Sequence, residues 1–140
     1  MRVQVTYALN QHMAKILVPL VQIILAPDSA DTIRQSMSKP STDWVTKENG
    51  HYFARLWSRV NKMDILYEVA ILETSIEMSL RNPFNDLGKQ VITIYVLTLE
   101  NDCVQVTQHF DGLSDVAIDM VSIIYILGSL SKHARKEETT

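Results

Sequence analysis

YFARLWSRVNKMDILYEVAILETSIEMSLR, residues 52–81, contains neither glycine nor proline. It is roughly three times the length of an average helix. Phe53, Leu56, Trp57, Val60, Met63 and Tyr67 recur at spacings of three and four, apart from one adjacent pair, and form an apolar stripe. That spacing predicts a long central helix, with Arg55, Arg59 and Lys62 on a neighbouring face. Farther along, Ile65, Leu66, Val69, Ala70, Ile71 and Leu72 leave little polar surface, so the second half of such a helix must be covered nearly all round. Asn82-Pro83 ends it, because a residue before proline is pushed out of helical geometry.

Strand signals flank this stretch. Val3, Val5 and Tyr7 alternate with Arg2, Gln4 and Thr6, the period of a half-buried strand. Asn10 is placed to cap a helix reaching about Ala26, which Pro19 would kink or split. Residues 28–43 are rich in Ser, Asp and Thr and predict a mobile connection, with one or two helical turns at 31–37. A short helix is expected at 43–48, ended by Asn49-Gly50, and a turn at 85–88. Residues 90–99, QVITIYVLTL, and 103–110 read as a hairpin turning at Glu100-Asn101-Asp102. On its second strand Val104, Val106, Gln108 and Phe110 share one face. A last helix follows, capped by Asp111 or Ser114; basic residues from Lys132 to Lys136 suit its C-terminal dipole.

The expected fold is therefore α+β: a long central helix and other helices packed on a small antiparallel sheet, made of the N-terminal strand plus the hairpin near 90–110. The predicted order is β-α-(short α)-α-β-β-α. The 140 residues fit one domain able to bury a core. A net charge of -3 gives no general attraction to polyanions. The charge is uneven, however: residues 1–70 hold eight Lys/Arg against six Asp/Glu, and residues 71–140 five against ten. The N-terminus lacks the pattern of a signal peptide. A single cysteine, Cys103, suits a reducing compartment, so a cytoplasmic or other intracellular location is expected. The apolar runs at 16–26 and 116–130 fall short of the roughly twenty residues a membrane span needs.

No catalytic signature emerges. His12, His51, His109 and His133 are scattered without a ligand spacing, so no metal is expected, and four scattered glycines form no phosphate loop; no cofactor is expected. Glu68 stands inside ILYEVAIL, and a carboxylate there needs a cationic or polar partner. His51, Arg55, Arg59 and Lys62, spaced by four, four and three with Trp57 nearby, offer a basic face for nucleic acid or a protein partner. The three most apolar stretches, 16–26, 65–72 and 116–130, point to an oligomer interface, with Val116, Met120, Ile123, Ile124 and Leu127 on the last helix as its candidates and a homodimer favoured. The leading expectation is a non-enzymatic oligomeric assembly or adaptor subunit working with other protein subunits. The second is an accessory RNA- or DNA-binding protein. A small enzyme or ligand-binding module using Glu68 or Cys103 comes third.

Overall fold

The structure, a computed structural model, describes residues 2–38, 44–47, 51–81, 91–111 and 117–135. It is mixed α+β. The long central helix is not there: residues 52–81 lie in three antiparallel strands, β3 (His51–Ser58), β4 (Met63–Ile71) and β5 (Ser75–Arg81). The same residues carry the alternation that builds them. Ile76, Met78 and Leu80 interleave with Ser75, Glu77, Ser79 and Arg81, while Ile65, Tyr67, Val69 and Ile71 interleave with Leu66, Glu68 and Ala70. Period two with β-branched and aromatic residues favours a pleated strand over a helix. The turns are made without Gly or Pro. Lys62 takes a left-handed conformation at φ 53° in the β3–β4 turn, and Leu72 N–H bonds the Ser75 carbonyl in the next.

These strands join β1 (Arg2–Tyr7), β2 (Val45–Lys47), β6 (Val91–Glu100) and β7 (Cys103–Asp111) in one seven-stranded sheet ordered β1-β7-β6-β5-β4-β3-β2. All six pairings are antiparallel. The sheet is thus much larger than the small one expected, and residues 45–47 are an edge strand where a short helix was predicted. Asn101 and Asp102, both with positive φ, close the β6–β7 hairpin as a two-residue turn whose twist matches its strands. The expected features at 49–50, 82–83, 85–88 and Ser114, and the residues beyond 135, lie outside the described residues.

Because β1 and β2 occupy opposite edges, the connection between them must cross the sheet. It does so as α1 (Gln11–Leu25) and α2 (Ser29–Ser36), whose axes meet at 87°. Asn10 caps α1 through its side chain and Met13 N–H at 2.8 Å. Pro19 neither splits α1 nor sits in its buried stripe; it is on the exposed side, where the carbonyl it leaves unbonded can reach water. Within the stretch 28–43, Ile33 of α2 and Met37 just after it are buried in the core, and residues 39–43 lie outside the described residues. The last helix, α3 (Met120–Ala134), starts later than expected and is capped by Asp119, not Asp111, which ends β7.

The core lies between these helices and one sheet face. Tyr52, Ala54, Ile65, Tyr67, Val69, Ile76, Met78, Leu80, Tyr95, Leu97 and Val106 meet Leu17, Val21 and Ile24 of α1, Ile33 of α2 and Ile123, Ile126, Leu127 and Leu130 of α3. Among the described residues nothing covers the opposite face. Trp44 closes the edge: its ring meets Tyr52 edge-on at 6.4 Å and its indole N–H bonds Ser129 Oγ at 2.9 Å.

A clasp joins the start of α3 to the sheet. The buried Asp119 carboxylate accepts from Ser58 Oγ (2.7 Å), Ser122 Oγ (2.8 Å) and Ser122 N–H (3.1 Å). Asn61 extends it, with its backbone N–H on Ser58 Oγ (3.0 Å) and its amide exchanging two 3.1 Å bonds with the Ala117 backbone. Asp119→Ala removes a helix cap and strands two buried hydroxyls. Urea unfolding of that variant is expected to show a loss of roughly 2–3 kcal/mol, with Asp119→Asn intermediate.

Candidate functional site

The strand assignment divides the basic cluster. On β3, His51, Phe53, Arg55 and Trp57 point to the uncovered face, while Tyr52, Ala54 and Ser58 face the core. Arg59 and Lys62 belong to the β3–β4 turn, beyond the strands. A four-four-three spacing aligns side chains on a helix but not on a strand that turns back, so the five residues do not form one cationic face.

Three rows of cross-strand neighbours run over the uncovered face. One contains Phe53, Glu68, Ser79, Ile94, His109 and Gln4; a second His51, Ala70, Glu77, Val96, Thr107 and Thr6; a third Arg55, Leu66 and Arg81. At their junction the Glu68 carboxylate lies 3.3 Å from Arg81 Nη2 and 3.4 Å from His51 Nδ1. Glu68 is half-buried on this face rather than in the core. Its apolar neighbours in the sequence alternate away from it, which is how ILYEVAIL accommodates a charge. In these rows Arg55 and Arg81 balance Glu68 and Glu77, leaving the face near neutral apart from its histidines.

The candidate interface on α3 is arranged differently from the expectation. Ile123 and Leu127 are fully buried in the chain's own core, and Met120 and Ile124 pack against it. Ile123 and Leu127 are unavailable to a partner without opening the fold, while Met120 and Ile124 remain partly exposed. The exposed apolar residues of α3 are Val121 and Tyr125 instead. Val116 lies outside the described residues.

A polar cluster inside the core has no counterpart in the sequence reading. The Tyr7 hydroxyl donates to Gln108 Oε1, Gln108 Nε2 donates to Thr93 Oγ1 at 3.1 Å, and Thr93 Oγ1 donates to the His109 carbonyl at 3.0 Å. Beside this chain, the fully buried Tyr67 and Tyr95 carry hydroxyls with no hydrogen-bond partner. Ser122 lies near the Tyr67 phenol, but its own hydroxyl is directed to Asp119. Burial pushes both phenols well above the usual tyrosine range, and the nearby Asp119 charge adds to the rise. The signal in the sequence was Tyr67 and Tyr95 standing at core-facing positions of their strands.

Among the described residues, Cys103 and the histidines do not come together. Cys103 is exposed at the hairpin turn, and His109, six residues along the same strand, is about 20 Å away. His109 instead borders a groove of about 360 Å³ with Ile92, Ile94 and Phe110. Among the described residues no three His, Cys, Asp or Glu side chains gather to hold a metal ion, and no single helix is long and apolar enough to cross a membrane.

Two outcomes follow from this geometry. Glu68→Ala removes the carboxylate that both Arg81 and His51 face on a half-buried part of the sheet and is expected to cost about 1–2 kcal/mol in denaturant unfolding. For the tyrosines, the unfolded phenols ionise near pH 10 while the folded ones stay protonated, so above that pH the folded chain holds more protons and stability falls as pH rises. Tyr67→Phe/Tyr95→Phe is expected to flatten that alkaline loss and to keep or raise the neutral-pH melting temperature, since it removes two unpartnered hydroxyls. Neither a protein-family model nor a curated protein matches this chain.

Proposed function

We propose that this chain is a non-enzymatic assembly or adaptor subunit that associates through the uncovered face of its sheet, with a second copy of itself as first partner. The observation that supports this reading is the makeup of that face. Phe53, Leu66, Ile94 and Val96 are half-buried between neighbours, and the Glu68, Arg81 and His51 group sits at the centre. Partly apolar surface with paired charges at its middle suits a protein interface. Balanced charge also suits a copy of the same surface, because a two-fold dimer places each patch on itself. The RNA- or DNA-binding alternative has less support, since Arg59 and Lys62 leave the face and Arg81 is paired with Glu68.

A second reading rests on the interior. Tyr67 and Tyr95, with Gln108 and Thr93 beside them, set hydrogen-bonding groups within apolar walls, an arrangement suited to a small, largely apolar molecule bearing one polar group. Native mass spectrometry of the purified chain tests this second reading: a co-purifying small molecule lost in Tyr67→Phe/Tyr95→Phe supports it, and an unliganded mass in the parent protein opposes it.

Light scattering coupled to size exclusion tests the first reading. The parent chain is expected at twice its 15.9 kDa mass. Phe53→Asp or Ile94→Asp, each placing a carboxylate in the proposed contact, is expected to yield a folded monomer. A parent chain that runs as a monomer at high protein concentration overturns the proposal.

A further inference from the structure

Exposed apolar residues gather at one end of this molecule. Seven large apolar side chains are exposed among the described residues, and three of them, Trp57 (61%), Val60 (51%) and Met63 (37%), fall within the tip of the β3–β4 hairpin. Two more, Val121 (74%) and Tyr125 (59%), stand one turn apart at the start of α3. The bonds from Ser58 to Asp119 and from Asn61 to Ala117 hold that start beside the tip. Arg55, Arg59 and Lys62 are exposed on the same hairpin end as Trp57, Val60 and Met63, and the one acid of that end, Asp64, is half-buried opposite Trp57.

We infer that this tip is a docking element for an anionic phospholipid surface. Among the described residues of this tip, three cations stand with no fully exposed carboxylate, which complements a negatively charged bilayer although the whole chain carries a charge of -3. Each residue type has a place there. Val60 and Met63 enter the acyl boundary, the Trp57 indole lies at headgroup level, and the long Arg and Lys side chains reach back to lipid phosphates. A nucleic-acid strand would use the cations and the indole but would leave the aliphatic residues in water, so lipid accounts for more of the surface. The tip is also held in place before contact. Asn61 bonds both Ser58 and Ala117, so docking does not have to order a flexible loop.

Two tryptophans make the test direct: Trp44 is buried and Trp57 exposed, so the Trp44→Phe variant reports Trp57 alone. Full-length protein is mixed with vesicles of phosphatidylcholine, or of phosphatidylcholine with phosphatidylserine, and followed by co-sedimentation and fluorescence. The expected result is binding and a blue shift with phosphatidylserine only, weakened by salt. Val60→Asp and Lys62→Glu, exposed turn substitutions that circular dichroism should find folded, are each expected to weaken binding by about tenfold or more. Absence of binding to phosphatidylserine vesicles at low salt overturns the proposal. So does binding that Val60→Asp leaves unchanged, or a chain that ignores vesicles but binds a single-stranded oligonucleotide in a Lys62-dependent way. Arg55 and Trp57 share the uncovered face with the proposed self-contact, whereas Val60 and Lys62 lie in the turn beyond the strands, so the Val60→Asp and Lys62→Glu outcomes are distinguishable from the association test.

Discussion

The two ends of the β1–β2 connection lie at opposite edges of a seven-stranded sheet, and that constraint organises the molecule. A chain leaving β1 cannot reach β2 without crossing the whole sheet, and here it crosses as α1 and α2 on one face. Helix α3 then packs against both and completes the cover. With all three described helices on one side, the strands divide their residues between a dry face and a wetter one. Every strand from β3 to β7 obeys this division. The distribution of Tyr67 against Glu68, or Tyr95 against Ile94, therefore follows from a connection made early in the chain.

Asp119 serves this arrangement at the point where apolar packing alone would be weakest. It caps α3, bonds Ser58 at the end of β3 and so fixes the helix to the hairpin that Asn61 also grips. A buried carboxylate is tolerated because hydroxyl and amide donors surround it. The interior is less fully paired around Tyr67 and Tyr95, whose buried hydroxyls lack partners. Buried polar atoms without partners are uncommon in folded proteins. Their location between α3 and the sheet marks that space as chemically distinct from the aliphatic packing around Ile24, Leu97 and Leu127.

The edge strands and the hairpin tip differ in the same terms. Strand β2 is only three residues long, which limits an open edge available for unwanted pairing. The β3–β4 tip projects Trp57 and Val60 into solvent despite being held by five hydrogen bonds through Asn61 and Ser58. A rigid support under exposed apolar residues is a costly way to make an ordinary turn, and a reasonable way to make a contact.

Some of this was legible in the residues themselves. The alternation of Val3, Val5 and Tyr7, the β-rich runs around Tyr95 and Val106, the Asn10 cap and the mixed α+β class all follow from local periodicity and turn chemistry. Residues 52–81 carry a helical spacing only by coincidence: Phe53, Leu56, Trp57, Val60 and Met63 fall three and four apart, save one adjacent pair, across a strand and a turn that uses Asn61 and Lys62 in place of Gly or Pro. Local pattern also gave Glu68 a need for a partner, but only pairing of β4 with β3 and β5 could supply His51 and Arg81. What the sequence determined by itself was which residues prefer water and which prefer burial at short range. The tertiary structure decided which faces met, because strand register and the crossing of α1 and α2 join residues far apart in the chain: Ser58 to Asp119, Tyr7 to Gln108, and the basic turn to the exposed start of α3.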